Sequence, residues 1–326
     1  MKIGLLLPGP ADATSWYRGA LPWMELGKQR RHNVEIITEV KPWCDLAAYD
    51  VIVSQRPMIP IHQEVVVRAV KLNIPVIVDF DDDQLNLPPW NGMYQTFERP
   101  ECKQTAITCA QLATAVIVST PTLANVWGQY SKKIEVIPNA WPDRAMPWVP
   151  LKERSPLLMW RTTNSQRGDH HLFPEALNPT AIEFPELRYM SIGEPAFFED
   201  YIPSDRMTKY PWLETLEYFN LLRQVYPTVC AKPMQEHRFN HAKSNIAWME
   251  AVFSGAVMVA PDWKEWKVPG CINYGANKSF RNALAEALDL DEAERLKLVK
   301  EARAFIDKNL LLSKVNAKRQ AILEKL

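Results

Sequence analysis

The chain has 326 residues, a length that is typical of two domains. Apolar residues make up 47% of it and charged residues 23%, which excludes an intrinsically disordered chain. Its 38 basic and 38 acidic side chains balance, so the net charge does not support non-specific binding to nucleic acid or to an anionic membrane.

The cysteine pattern and the short length of the apolar runs predict the cellular compartment. The five cysteines are an odd number without a C-x-x-C pair, which disfavours a disulfide framework or a zinc knuckle and fits a reducing environment. The N-terminal sequence MKIGLLLPGP is too short in apolar residues for a signal-peptide core, and no stretch approaches the roughly 20 apolar residues of a membrane span. We therefore expect a cytoplasmic protein without a membrane span.

Short apolar, β-branched runs alternate with helix-length segments along the first half of the chain. Such runs are typical of strands buried on both faces of a parallel sheet, and their alternation with helices predicts a doubly wound α/β domain over residues 1–146. The predicted strands are Ile3–Leu7, Val34–Thr38, Asp50–Ser54, Pro75–Phe80, Ala115–Ser119 and Ile134–Ile137. The predicted helices cover 16–29, 61–72, 103–113 and 121–130.

A second alternation follows a segment rich in proline and tryptophan, 138–156, which we interpret as a linker. It predicts a second α/β domain over residues 150–305 and a C-terminal helix within 306–326. The predicted strands are Leu157–Arg161, Leu187–Ile192, Tyr226–Ala231 and Ala256–Ala260, and the predicted helices cover 211–224, 243–254, 279–289 and 291–308.

The segment 238–261, RFNHAKSNIAWMEAVFSGAVMVAP, carries the most chemistry. It predicts a helix that ends near Gly255 and is followed by a strand. Lys243 and Ser244 would lie in the first helical turn, where free N–H groups and the helix dipole favour a diphosphate. Glu250, two turns later on the same face, could accept hydrogen bonds from ribose hydroxyls. The alternative is an ordinary amphipathic helix with a solvated Lys and Glu.

This segment resembles the GT-B fold glycosyltransferases of the family-four type. In that family a C-terminal-domain helix carries two glutamates spaced E-x7-E before an A-x-x-x-G-x-P-V-V-A run. Glu250 matches the second glutamate and 251–261 matches the run, while Ala242 stands at the first glutamate. A variant of the family has F-N-x-x-K-S-N at this point, and it is matched by Phe239, Asn240, Lys243, Ser244 and Asn245.

Other segments match the same variant in chain order. They are 15–26, 51–57, 76–88, 116–127, 134–141 and 159–172. The variant is common in bacteriophages. The resemblance implies two Rossmann-like domains facing a cleft, with the C-terminal helix packing back on the first domain. It also implies transfer of a sugar, with retention, from a nucleotide-sugar donor to a hydroxyl acceptor, and a UDP-sugar is the favoured donor.

The resemblance assigns the donor to the second domain. Arg161 ends a predicted strand and would balance the departing diphosphate electrostatically. The alternative for each arginine is a solvated surface position. The predicted donor-binding residues are Arg161, Arg238, Asn240, Lys243, Ser244, Asn245 and Glu250.

The first domain would hold the acceptor near an acidic run, 79–83, that follows a buried strand. Carboxylates crowded in this way raise one another's pKa, which suits proton transfer. The alternatives are a metal-binding D-x-D and a solvated cluster that begins a helix near Gln84. The predicted catalytic residues are Asp81, Asp82 and Arg18, and the predicted acceptor-binding residues are Tyr17, Asp79, Asp83 and His170.

The GT-B type usually transfers without a bound metal, so we expect no metal site and no required cofactor; a weak dependence on a divalent metal stays open. Arg18 could instead be a solvated arginine on a helix surface.

Two further functions stay open. The first is a phage-type DNA glycosyltransferase acting on hydroxymethylated bases, whose groove would use the basic segment 28–32, Lys132 and Lys133, and Arg161 with Arg167. The second is a non-catalytic sugar-nucleotide-binding protein, suggested by the missing first glutamate. The acceptor would accordingly be a glycan, a small molecule or a hydroxymethylated DNA base.

Overall fold

The computed structural model describes residues 1–9, 13–38, 45–152, 155–194, 199 and 202–326. Two six-stranded sheets, each parallel throughout, form the centres of two α/β domains. This confirms the predicted fold class of two Rossmann-like, doubly wound domains. No helix in the described part of the chain is both long and apolar enough to cross a membrane.

The first sheet has the strand order β2-β1-β3-β4-β5-β6. Its strands are β1 Lys2–Leu6, β2 Asn33–Ile36, β3 Val51–Gln55, β4 Val76–Phe80, β5 Ala115–Val118 and β6 Ile134–Val136. Every residue of β3, β4 and β5 is buried, because helices cover both faces of the sheet. The continuous apolar runs in the sequence reflect this two-sided burial.

The second sheet has the order β12-β11-β10-β7-β8-β9. Its strands are β7 Leu157–Thr162, β8 Arg188–Gly193, β9 Met207–Tyr210, β10 Val229–Ala231, β11 Val257–Pro261 and β12 Cys271–Tyr274. The sequence predicted neither β9 nor β12. Both are edge strands of four residues with polar members, so they lack the long apolar run of a central strand.

The helices mostly agree with the prediction. They are α1 Leu21–Arg30, α2 Pro60–Lys71, α3 Tyr94–Phe97, α4 Pro100–Leu112, α5 Pro121–Trp127, α6 Phe173–Glu183, α7 Thr215–Val225, α8 Arg238–His241, α9 Ile246–Ser254, α10 Phe280–Asp289, α11 Glu292–Asn309 and α12 Leu312–Leu323. The prediction missed the one-turn helices α3 and α8, and it also missed α6, which contains Pro179 in its interior. The predicted helix 16–29 is divided into a π-helical turn, Ser15–Ala20, and α1, where Pro22 has no N–H to donate.

The C-terminal helix α12 packs on the first domain. Asn316 donates a hydrogen bond of 2.9 Å from Nδ2 to the carbonyl oxygen of Pro22 in α1. Apolar side chains of α12 are buried in one cluster with residues of the first sheet and α1; they are Leu312, Val315, Ile322 and Leu323. The chain enters α12 beside the interdomain segment, since Trp141 donates to the carbonyl of Leu310 and accepts from the N–H of Leu312, each at 2.7 Å.

Truncating the buried face of α12 tests this packing. We expect Ile322→Ala to lower the free energy of unfolding by about 2–4 kcal/mol, because it leaves a cavity under the helix. Glu324→Ala, at an exposed position of the same helix end, should change it by less than about 0.5 kcal/mol. Urea titrations followed by tryptophan fluorescence measure both, and equal midpoints would contradict the packing.

Candidate functional site

A cleft of about 550 Å³ lies between the two domains. Most of the residues that line it lie at or after the carboxyl ends of β1, β3 and β4 in the first sheet and of β7, β8 and β10 in the second. Parallel sheets place their loops for ligands at this end, so the chemistry predicted from the sequence is concentrated where two such ends face each other.

Glu250 of α9 is the centre of a buried polar cluster beside the cleft. Only 2% of it is exposed. Its Oε1 accepts a 2.9 Å hydrogen bond from the Tyr17 hydroxyl, and its Oε2 accepts one of 3.1 Å from the Tyr218 hydroxyl. Arg161 completes the cluster, with Nη1 2.9 Å from Oε2 and 3.2 Å from Oε1. The interpretation of Glu250 as a solvated helix residue is therefore wrong.

Burial and the charges within the cluster shift the pKa values of its members. Burial, followed by the charge of Glu250, raises the pKa of Tyr17 well above its ordinary value. The pKa of Tyr218 is raised in the same way, mainly by burial. Burial acts to lower the pKa of Arg161, but Glu250 together with the neighbouring acidic groups Tyr218 and Tyr17 outweighs it, and the net shift of the pKa is upward. The cluster is thus a fixed ion pair with two neutral hydroxyl donors.

The segment before α9 differs from the predicted helix. The helix begins at Ile246 rather than at residue 243, so the prediction that Lys243 and Ser244 lie in its first turn is wrong. Both residues occupy the turn between α8 and α9 and still line the cleft. The turn contacts the first domain: Asn139 donates from Nδ2 to Ser244 Oγ at 2.6 Å, and Lys243 Nζ is 3.6 Å from Asp82 Oδ1.

Three predicted donor residues lie outside the cleft lining. Asn240 is buried and donates to Asp169 Oδ1 at 2.7 Å and to the carbonyl of Gln235 at 2.9 Å. Asn245 donates to the carbonyl of Glu265 at 2.9 Å. Arg238 is largely exposed, with Nε 3.6 Å from Asp83 Oδ2. The two asparagines shape the turn, and the predicted donor residues that line the cleft are Arg161, Lys243, Ser244 and Glu250.

Arg18 and Asp79 form a buried ion pair under the first-domain side of the cleft. Arg18 is 1% exposed, which contradicts the alternative of a solvated arginine. Its Nη2 lies 2.9 and 3.0 Å from the two oxygens of Asp79, and its Nη1 donates to the carbonyl of Ile137 at 2.7 Å. Asp79 does not line the cleft, whereas Arg18 does.

Arg319 of α12 lies near this pair. Burial and the charge of Arg18 lower the pKa of Arg319 to about 9.

The rest of the acidic run is also paired rather than solvated. Arg56, directly after β3, lies with Nη2 2.6 Å from Asp81 Oδ2 and 3.0 Å from Asp82 Oδ2. Asp83 is fully buried and accepts from Asn86 Nδ2 at 2.9 and 3.0 Å. Burial raises the pKa of Asp81 to about 6 despite Arg56. The solvated-cluster interpretation is wrong, and no helix begins at Gln84, since α3 begins at Tyr94.

Within the run, Asp81 and Asp82 line the cleft and Asp83 does not. His170 also lies outside the lining: it is buried, and burial lowers its pKa to about 4. Among the described residues there is no group of three or more His, Cys, Asp or Glu placed to hold a metal.

Among the cleft residues that the sequence analysis did not predict are Arg56, Asn139 and Lys232. Arg56 and Lys232 each follow a buried strand directly, β3 and β10. A polar residue immediately after an apolar run is a signal that the sequence does contain, because such positions lie at the carboxyl edge of a parallel sheet. Asn139 lies in the interdomain segment, for which the sequence offers no comparable signal.

Comparisons with known proteins establish the fold. No protein-family model and no curated protein matches the chain. The UDP-GlcNAc 2-epimerase from Neisseria meningitidis, solved bound to UDP-GlcNAc, matches with a TM-score of 0.57 and 12% identity over 100% of both chains. TarM matches with a TM-score of 0.63 and 13% identity over 83% of this chain and 54% of its own.

The pneumococcal O-GlcNAc transferase GtfA, in complex with UDP and GlcNAc, also matches. Its TM-score is 0.54 and its identity is 16%, over 84% of this chain and 56% of its own. Identities this low are informative about architecture only, and the neighbours are GT-B fold proteins. The chain therefore has the GT-B arrangement of two Rossmann-like domains around a cleft.

The buried Arg18–Asp79 pair generates a stability prediction. We expect Arg18→Met to lower the free energy of unfolding by about 3–5 kcal/mol, because Asp79 is left as an uncompensated buried charge. The double variant Arg18→Met/Asp79→Leu should recover much of this loss, since both charges are then removed. Urea denaturation of the two variants measures the difference. A loss below about 1 kcal/mol for Arg18→Met would contradict the assignment.

Proposed function

We propose that the protein is a glycosyltransferase that moves a sugar, with retention, from a nucleotide-sugar donor to a hydroxyl acceptor. One observation carries the proposal. Two cations of the second domain, Arg161 and Lys243, face two carboxylates of the first domain, Asp81 and Asp82, across a single cleft. Such a cleft can hold an anionic donor on one side and a nucleophile with its base on the other.

The second domain binds the donor in this proposal. Lys243 and the N–H groups at the start of α9 contact the diphosphate, since Ile246 and Ala247 also line the cleft. Arg161 stabilises the charge that develops on the leaving diphosphate. A ribose hydroxyl replaces the Tyr17 hydroxyl on Glu250 Oε1, which exchanges one hydrogen bond for another. The complexes of GtfA with UDP and of the Neisseria epimerase with UDP-GlcNAc support UDP as the nucleotide.

The first domain binds the acceptor. Asp81 accepts the proton of the attacking hydroxyl, with Asp82 beside it and Arg56 orienting both carboxylates. Apolar side chains of the loop after β4 line the same side of the cleft; they are Leu87, Met93 and Phe97. Contacts between the domains, such as Asn139 with Ser244, limit the access of water, which would otherwise compete as the nucleophile.

We propose a glycan or small-molecule acceptor rather than a DNA base. The basic segment 28–32 and the pair Lys132 and Lys133 directly precede strands β2 and β6. They therefore lie at the amino edge of the first sheet, opposite the cleft. Of the cations predicted for a DNA groove, these do not reach the cleft, and Arg161, which does line it, is already paired with Glu250.

A second candidate is epimerisation of a UDP-sugar. It is favoured by the match to the Neisseria epimerase, which extends over the whole of both chains. The two functions differ in their products. Incubation with UDP-GlcNAc and a panel of glycan acceptors, followed by separation of nucleotide and sugars, gives an epimeric sugar in one case and a glycosylated acceptor with UDP in the other. Nucleotide binding without either product would support the non-catalytic alternative.

Nucleotide binding is the first test of the proposal. We expect calorimetry to detect binding of at least one diphosphate among UDP, GDP, ADP, CDP and dTDP. Lys243→Met should raise the Kd of that diphosphate about tenfold or more and leave the matching nucleoside unaffected, because it removes a charge-assisted contact to phosphate. The control is Lys297→Met, an exposed lysine on α11.

Failure of every nucleotide to bind the wild-type protein would overturn the proposed function. An equal loss of nucleoside and diphosphate binding in Lys243→Met would remove only the assignment of Lys243.

The base assigned to Asp81 makes the rate depend on pH. A carboxyl accepts a proton only when ionised, and burial raises the pKa of Asp81 to about 6. The transfer rate should therefore rise with pH through about 6 and level off above it. Asp81→Asn should lower kcat by about 10²–10⁴-fold and abolish this limb of the profile, while the affinity for the donor is retained. A pH profile that keeps the limb in Asp81→Asn would contradict the role of Asp81.

A further inference from the structure

Lys232 is a buried cation at the floor of the cleft. It directly follows β10, and 8% of it is exposed. Its side chain lines the main cleft and also a small cavity beneath it, beside Arg161 and Glu250. Its backbone N–H donates a hydrogen bond to the carbonyl oxygen of Val259. Within the described residues, its Nζ has no hydrogen-bond acceptor or carboxylate at bonding distance.

The other cations of the cleft differ from Lys232 in this respect. Arg161 is paired with Glu250 at 2.9 Å, Arg56 with Asp82 at 3.0 Å, and Lys243 lies 3.6 Å from Asp82. Taking a charge out of water without a partner is costly, and folded proteins rarely accept it without a functional reason. An anion that enters the cleft would supply the missing partner.

The surroundings of Lys232 lower the pKa of its ammonium group. Burial lowers its pKa most, and the charges of Arg161 in β7 and Lys243 before α9 lower it further. Asp169, after β7, and Glu250, in α9, act in the opposite direction but do not compensate. The resulting pKa is about 7, so the side chain is about nine-tenths neutral at pH 8. In the empty cleft, Lys232 therefore does not add a third full positive charge beside Arg161 and Lys243.

We propose, building on the nucleotide-sugar function above, that Lys232 binds the donor diphosphate and takes up a proton from solvent as the diphosphate enters. The diphosphate brings negative charge next to Nζ and so favours the ammonium form. Lys232, Arg161 and Lys243 then act together on one polyanion. The binding affinity should fall as the pH rises above 7, because each binding event must then draw a proton from solution.

Calorimetry with UDP at pH 8 tests this inference. UDP itself is fully ionised at that pH, since its last phosphate pKa is about 6, so proton uptake reports the protein. Titrations in Tris and in HEPES, which differ in heat of ionisation, should show uptake of close to one proton per UDP bound. GDP, ADP, CDP or dTDP replaces UDP if one of them is the nucleotide that binds.

Substitutions identify the group that takes up the proton. Lys232→Met should abolish the uptake and raise the Kd at pH 7 about tenfold to a hundredfold. Lys232→Arg keeps the cation but cannot release its proton at pH 8, so it should bind without uptake. Lys297→Met should behave like the wild-type protein. Lys232→Met should melt no lower than the wild-type protein, because it removes a buried amine that has no hydrogen-bond partner among the described residues.

The outcomes separate this inference from the proposed function. Binding of UDP to the wild-type protein without proton uptake, or with equal affinity in Lys232→Met, would overturn the role of Lys232 and leave the proposed function standing. Failure of all five nucleotides to bind would overturn both. Where Lys232→Met does not fold, Lys232→Arg decides the question: binding with the wild-type proton uptake in that variant would overturn the role of Lys232.

Discussion

The ion pair between Arg161 and Glu250 determines how the cleft is built. The Glu250 carboxylate could not be buried without a cation beside it. Arg161, which stays partly exposed, supplies that cation, and the two tyrosine hydroxyls donate to the same carboxylate oxygens. One of these hydroxyls belongs to Tyr17 of the first domain. The pair therefore fixes the carboxyl edge of the second sheet and also sets where the first domain meets it.

Charge compensation extends from this pair through the rest of the interface. The acidic run after β4 would repel itself if left alone, yet arginines from other elements neutralise it: Arg18 precedes α1, and Arg56 follows β3. Across the cleft Lys243 approaches Asp82. A chain with equal numbers of acids and bases has thus concentrated both kinds at one place, which its overall charge could not indicate.

The sequence predicted the central strands to within one or two residues for most of them, because two-sided burial requires continuous apolar runs. It failed at β9 and β12, where an edge position permits polar residues, and at α6, where Pro179 imitates a helix stop. The failures are local. They left the order of the domains and the position of the cleft unaffected.

Prediction of the site was limited by a different cause. The position of a residue at the end of a strand indicates the correct edge of the sheet, and this signal identified Asp81 and Arg161; Glu250 was found instead from its helical spacing to Lys243. A position at the end of a strand does not indicate whether the side chain is already paired with another side chain of the protein. Asp79 is two residues from Asp81, but Arg18 takes both of its oxygens. Arg18 and Asp79 are 61 positions apart in the sequence, and tertiary packing brings them together. The residues next to either of them in the sequence do not predict this pair.

The path of the chain between the domains has a mechanical consequence. The domains are joined twice, once by the segment after β6 and again where α11 passes to α12, and the two crossings are hydrogen-bonded side by side at Trp141 and Leu311. A single linker would let the domains rotate relative to each other about any direction. The second crossing reduces this freedom, because a rotation that pulls the crossings apart must break the hydrogen bonds at Trp141.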